Sequence, residues 1–253
     1  MHDTSLKVLT YNIHKGFSMG NLRFVLHDIK DSLRQVDADV VFLQEIHGER
    51  AISKQRFDDW PNNRQFEFLA DEVWPHHAYG KNAIYKSGHH GNAILSKYPF
   101  LVWENIDVSI MKTASRSLLH GTIQLPGREQ QIHVICVHLG LFERERQNQL
   151  ITLADRINSH IPHDEPLIIA GDFNDWRSRA ERHLHHDLGV KEAFKHSHGG
   201  HARSFPAWLP LFSMDRIYFR GLDVVESHRL HGEPWSRMSD HTPLLAEFRF
   251  ANH

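Results

Sequence analysis

The chain holds a single cysteine, Cys136, in 253 residues, which excludes an intramolecular disulfide and any multi-cysteine zinc framework. No apolar run approaches the ~18 residues of a membrane span. The first residues, Met1 to Lys7, lack the apolar core of a secretory signal. A cytoplasmic protein is the expectation these absences leave. Neither sign of charge is in excess: 29 Lys plus Arg face 31 Asp plus Glu, a formal net charge of -2. That balance lacks the basic surplus of a strong non-specific nucleic-acid binder. Also absent are a Pro/Gly/Ser-rich linker, an internal repeat and a low-complexity tract, so one domain over residues 1–253 is expected. What is present is an ordinary globular composition, 40% hydrophobic and 24% charged, together with 23 histidines.

Short apolar runs bounded by turn residues alternate with a few stretches of helical periodicity, a mixed α and β pattern. Leu6 to Ile13 and Ala38 to Gln44 read as the first strands. Gly91 to Ser96 and Leu101 to Val108 read as a pair turned at Tyr98-Pro99, and Leu118 to Leu125 with Gln131 to His138 as a hairpin around Pro126-Gly127. Leu167 to Ala170, Met214 to Phe219 and Leu244 to Phe250 complete the expected strands. Leu22, Val25, Leu26, Ile29, Leu33 and Val36 recur at helical spacing and predict a helix capped by Asn21. Leu150, Leu153, Ala154 and Ile157 predict a second within Glu143 to Ser159, with Glu143 and Glu145 at the positive end of its dipole. Each helix should lay one face on a sheet. Cys136, between Ile135 and Val137, reads as a packed strand thiol. The His-rich stretch from His183 to His201 reads as a solvated polar loop, with a metal-binding tract as its alternative.

Polar residues stand where apolar strands end. Pro166-Leu-Ile-Ile-Ala-Gly-Asp172-Phe-Asn174 carries an acid and an amide two positions apart, which on a strand point the same way. A carboxylate acceptor beside an amide donor suits a water nucleophile and a phosphoryl oxygen. Ser239-Asp240-His241-Thr242-Pro243 could hold an imidazole for proton transfer or place its carboxylate on a metal; a capped turn is the plainer alternative. Asp215 lies inside an otherwise apolar strand, where a buried carboxylate is costly unless paired, and a histidine is its natural partner. Thr10-Tyr-Asn12-Ile-His14 ends the first strand in an amide, Val40 to Glu45 ends the second in an acid, and Val134 to His138 ends in a histidine. Open α/β architectures bind ligands at such sheet rims. Glu45, a hard oxygen donor after a deeply apolar strand, is the best single metal-ligand candidate.

The ordered set Asn12, Glu45, His138, Asp172 with Asn174, Asp215, then Asp240 with His241 resembles the endonuclease/exonuclease/phosphatase family of metal-dependent hydrolases, from Leu6 to Phe250. The resemblance implies an α/β, deoxyribonuclease-like four-layer αββα sandwich: two packed mixed sheets with helices outside and the active site at one rim. It implies Mg2+, with Mn2+ as a substitute, held by Glu45 with Asn12 and Asp240 beside it. Asp172 would orient or deprotonate the attacking water, and Asn174 would hold a phosphate oxygen. His241, polarised by Asp215, matches the family's essential histidine. His138 falls near the leaving oxygen, and Arg116 is expected to contact the phosphate.

The expected activity is divalent-metal-dependent hydrolysis of a phosphodiester or phosphomonoester by in-line water attack. The substrate is open, since it lives in loops rather than in the catalytic set. The slightly acidic chain favours a small or lipid-linked phosphoester, including a membrane-lipid headgroup, over nucleic acid. Arg144, Arg146, Arg177, Arg179 and Arg182 read either as a local phosphate-binding patch or as exposed helix-face residues. The apolar run Phe205 to Phe212 could take a lipid tail or stack on a base, or pack into the core. An inactive binding module and a zinc protein built on His183, His185 and His186 are the rival classes. The sequence leaves the oligomeric state open.

Overall fold

Strand residues alternate sides, so a strand packed on both faces reads as a continuous apolar run whose even and odd positions serve different layers. The computed structural model describes residues 5–50, 60–61, 64–85, 88–110, 115–181, 184 and 188–250. In chain order the described elements are β1 (Ser5–Asn12), α1 (Leu26–Val36), β2 (Val40–Arg50), α2 (Gln65–Ala70), β3 (His76–Tyr85), β4 (Gly88–Ser96), β5 (Phe100–Asp107), β6 (Ser117–Gln124), β7 (Gln131–His138), α3 (Glu143–His160), β8 (Leu167–Asp172), β9 (Lys191–Glu192), α4 (Ala193–His198), β10 (Asp215–Arg220), β11 (Leu222–Arg229), α5 (Trp235–Met238) and β12 (Leu244–Phe250). They form two six-stranded sheets, β11-β12-β1-β2-β4-β3 and β5-β6-β7-β8-β10-β9. Both are mixed: β1 with β2 and β7 with β8 run parallel, and the other pairings are antiparallel.

The sheets pack face to face. Leu6 and Val8 of β1 and Val40 and Phe42 of β2 meet Val134 and Cys136 of β7, Ile168 and Ala170 of β8, and Ile217 and Phe219 of β10 in one buried cluster. The intervening positions of the same strands turn outward. Leu9, Tyr11, Val41 and Leu43 are covered by α1 and α2 with Trp235 and Met238 of α5, and Ile135, Val137, Leu167 and Ile169 by Leu150, Leu153 and Ile157 of α3. Helix, sheet, sheet, helix is the four-layer order expected. Cys136 is the packed strand thiol it reads as, fully buried, and burial pushes its pKa up to about 12.

Three local expectations are corrected. Gly91–Ser96 and Leu101–Val108 are not a pair: β4 belongs to the first sheet and β5 to the second, so Tyr98-Pro99 carries the chain between layers. The first helix begins at Leu26, not after Asn21, because Phe17 and Phe24 pair across a β-bridge and hold residues 22–25 out of the helix. Within the His-rich stretch, Lys191–Glu192 and Ala193–His198 are strand and helix rather than loop. His183, His185 and His186 lie outside the described residues. The hairpin of β6 and β7 forms as expected, with Gly127 at φ 73° in its turn.

Candidate active site

The inward-facing row of each central strand changes character at the same end. Leu6 and Val8 are followed on that face by Thr10 and Asn12; Ile132, Val134 and Cys136 by His138; Ile168 and Ala170 by Asp172; and Asp215 precedes Ile217 and Phe219. Strand register aligns these ends. His138 stands beside Asp172 across the parallel β7–β8 pair, and Asp215 opposite Asp172 across β8–β10. Asn12, from the other sheet, reaches across the sandwich and donates from Nδ2 to Asp172 Oδ2 at 3.1 Å. Glu45 arrives differently: an irregularity in the β2–β4 ladder between Leu43 and Ile46 leaves it at φ 55°, at the rim rather than in the ladder. Its side chain is 23% exposed.

Asp172 is the centre of the constellation. Its Oδ1 accepts from the Asn174 main-chain N–H at 2.9 Å, and its Oδ2 lies 3.6 Å from His138 Nε2 and 3.9 Å from His241 Nε2. Asp172 and Asn174 do come together, but through a turn and not through strand alternation: β8 ends at Asp172 and Asn174 sits at φ 50°. The Asn174 side-chain amide donates to the Leu139 carbonyl at 2.9 Å. Asp215 Oδ2 binds His241 Nδ1 at 2.8 Å, the pairing its burial demands. The Ser239 hydroxyl donates to the Asn12 carbonyl at 2.7 Å and accepts from the His241 main-chain N–H at 3.2 Å, which fixes the Asp240–His241 turn against β1. Arg116 donates from Nε to the Leu139 carbonyl at 3.2 Å, at the edge of the group.

Burial opposes the charge on His241, but the Asp215 and Asp172 carboxylates outweigh it and hold its pKa well above the ordinary value. Burial likewise raises Asp172, and Asp215 adds to that rise while His241 opposes it. His138 is pushed far below its usual value by burial and by the Arg116 charge. Burial works against the Glu45 carboxylate too, yet facing His138 and Lys15 keep it low. Since His138 is neutral near pH 7, Lys15 is the cation that faces Glu45 there, Nζ to Oε2 at 3.0 Å.

Glu45, Asp240 and Asn12 offer two carboxylates and an amide oxygen, an all-oxygen donor set of the hard kind that Mg2+ takes. Each carboxylate has drawn in a basic side chain, Lys15 at Glu45 and His14 Nδ1 at Asp240 Oδ1, 2.9 Å. The place therefore calls for positive charge. Among the described residues no group of three or more His, Cys, Asp or Glu side chains is arranged as a metal cage. Mg2+ needs none, since it keeps several waters and binds through one or two carboxylates. The residues fit that ion.

All nine sequence-expected residues lie at this rim, and sequence reasoning missed two neighbours. His14 and Lys15 stand two and three positions after Asn12, at φ 44° and 61°, and place their side chains on Asp240 and Glu45. The signal was a polar run continuing past the strand end, where only the amide was read. A groove of about 560 Å³, lined by none of these residues, opens between Ser18, Met19 and Leu22 on one side and Pro234, Arg237 and Met238 on the other.

YbhP of Escherichia coli (strain K12) is 46% identical over 243 residues, 96% of this chain and 96% of that one. The fold is similar to that of an endonuclease/exonuclease/phosphatase from Beutenbergia cavernae, with a TM-score of 0.80 at 19% identity over 98% of this chain and 72% of that one. It is also similar to a humanized D. rerio TDP2, with a TM-score of 0.74 at 21% identity over 96% and 98% of the two chains. The family profile itself matches residues 9–241, a span that opens on β1 and closes on the histidine paired with Asp215. The chain belongs to the Endonuclease/Exonuclease/phosphatase family.

Proposed function

We propose that the protein is a divalent-metal-dependent hydrolase of phosphoester bonds. The observation that carries this reading is Asp172, a buried carboxylate facing two imidazoles, one of them paired with a second buried carboxylate. Asp172, its pKa raised, is placed to accept a proton from water. Main-chain and Asn12 hydrogen bonds fix both of its oxygens. Water then adds to phosphorus, the phosphorus–oxygen ester bond breaks, and the alkoxide leaves as the alcohol with the proton that Asp172 took from water, which restores the carboxylate. His241, held by Asp215 and carrying positive charge, directs Nε2 at the developing charge on the phosphoryl group. Neutral His138 stands ready at the leaving oxygen, and Arg116 and Asn174 are the phosphate contacts. A Mg2+ held by Glu45, Asp240 and the Asn12 side-chain amide oxygen would neutralise charge on non-bridging oxygens.

Hydrolysis of bis-p-nitrophenyl phosphate tests this directly. Mg2+ or Mn2+ should restore activity after EDTA, and His241→Ala or Glu45→Ala should each lower kcat by about 100-fold or more in a protein that still melts cooperatively. Wild-type rates in both variants would overturn the assignment. A panel of plasmid DNA, RNA, phosphoinositides, sphingomyelin and simple phosphomonoesters then ranks the substrates.

A further inference from the structure

Large apolar side chains are exposed around this site on loops that are firmly built. Leu141 and Phe142 follow His138, Trp176 follows Asn174, and Trp208, Leu211 and Phe212 lie in the segment before β10. Phe142 is 63% exposed and Trp208 61%. The last segment is tied to the Asp240–Thr242 turn: Ala207 donates to the Asp240 carbonyl at 2.7 Å and Thr242 to the Ser204 carbonyl at 2.8 Å. It is closed on itself by main-chain bonds from Ser204 and Phe205 to the Phe212 carbonyl, and the Phe205 ring lies 5.0 Å from the ring of His241. The apolar tips of this segment are thus fixed beside Asp240 and His241, where water gives them no burial reward.

We propose that these loops dock the site onto an anionic phospholipid bilayer, so that the phosphoester it takes is carried by a lipid. The substrate half of this rests on the hydrolase reading above; the docking half does not. Aromatic and aliphatic side chains together with exposed arginines are the composition of an interfacial anchor. Arg144, Arg177 and Arg203 are exposed within a few residues of the tips, placed for lipid phosphates. Leu141 and Leu211, interleaved with the aromatic tips, offer no face on which a base could stack, whereas acyl chains take aliphatic and aromatic side chains alike. The tips rise on three loops, after β7, after β8 and before β10, whose strands end in His138, Asp172 and Asp215. A bilayer covers the same tips while presenting phosphate to the opening.

Co-sedimentation of the full chain with vesicles of phosphatidylglycerol and phosphatidylethanolamine tests the docking, with tryptophan emission as a second readout. Wild type should partition onto these vesicles with a blue shift, and more weakly onto phosphatidylcholine alone. The Phe142→Ser/Trp208→Ser double variant should lose about tenfold or more in partitioning at an unchanged melting temperature, each side chain being exposed in the free protein. Absence of partitioning, a variant that binds like wild type, or binding to a single-stranded oligonucleotide in place of vesicles would overturn the proposal. Equal binding to phosphatidylcholine would overturn the part given to the arginines. Vesicle binding by a protein inert toward bis-p-nitrophenyl phosphate with Mg2+ would sink the hydrolase reading and leave the docking standing.

Discussion

Asp215 makes the case for the pair. A carboxylate this deeply buried is tolerable because His241 Nδ1 lies 2.8 Å away, and the imidazole is in turn aimed at Asp172 by that contact. Asp215→Asn keeps the shape and removes the charge that holds the imidazolium. The expected result is a fall in kcat of about 100-fold or more with little change in KM, measured on bis-p-nitrophenyl phosphate. Gly171 shows a second residue-scale constraint. It precedes Asp172 at φ 147°, and a Cβ there would lie 2.0 Å from the Val137 carbonyl oxygen. Neither atom can yield, since both belong to paired strands. Gly171→Ala should therefore cost about 3 kcal/mol or more in urea denaturation, and β7 would separate from β8 where His138 and Asp172 meet.

At the scale of elements, β6 and β7 carry a buried polar chain under α3. Arg156 Nε donates to His120 Nδ1 at 3.1 Å, His120 Nε2 faces His133 Nδ1 at 3.0 Å, and His133 Nε2 meets Glu165 at 2.5 Å. With Arg156 donating to Nδ1, His120 is neutral and donates from Nε2; His133 accepts and passes its own N–H to Glu165. Burial, then the neighbouring His133, lower His120 from 6.5 to about 3, and His133 is lowered as well. The unfolded chain thus binds more protons, so this stability is complete above the unfolded value near 6.5 and is lost as pH falls toward 3. The urea midpoint should drop between about pH 7.5 and about pH 5, and His120→Gln should flatten that drop. Elements were also where sequence reading fared unevenly. β12 was legible to the residue because alternation and length agree. β3 and β11 were not, since Gly80 and Lys81 break the apolar run of one and Asp223, Glu226 and Ser227 dilute the other. Both gain their order from pairing with β4 and β12.

The molecule as a whole is a sandwich whose two sheets contribute different parts of one site. Asn12 and Glu45 come from the first sheet, His138, Asp172 and Asp215 from the second, and Asp240 and His241 from the turn that enters β12. A cation shared by Glu45 and Asp240 would join β2 to that turn and bind the folded chain alone. Millimolar Mg2+ should raise the melting temperature by about 2–4 °C per kcal/mol of binding free energy. EDTA should reverse the rise and Glu45→Gln abolish it, read by differential scanning calorimetry.

By itself the sequence determined which residues end the apolar strands, because burial forbids an acid or an imidazole in such a strand unless something answers it, and their order along the chain, through the family resemblance, marked the candidate site. It determined the helical faces and the β6–β7 hairpin for the same reason: periodicity and turn chemistry are local. Only the tertiary structure decided that β4 and β5 part to different sheets, that Asn12 crosses the sandwich to Asp172, and that His14 and Lys15 answer Asp240 and Glu45. Those are choices of partner across gaps of up to 226 residues in the chain, His14 to Asp240, and no local pattern encodes them. They follow from how two twisted sheets register when their apolar faces close.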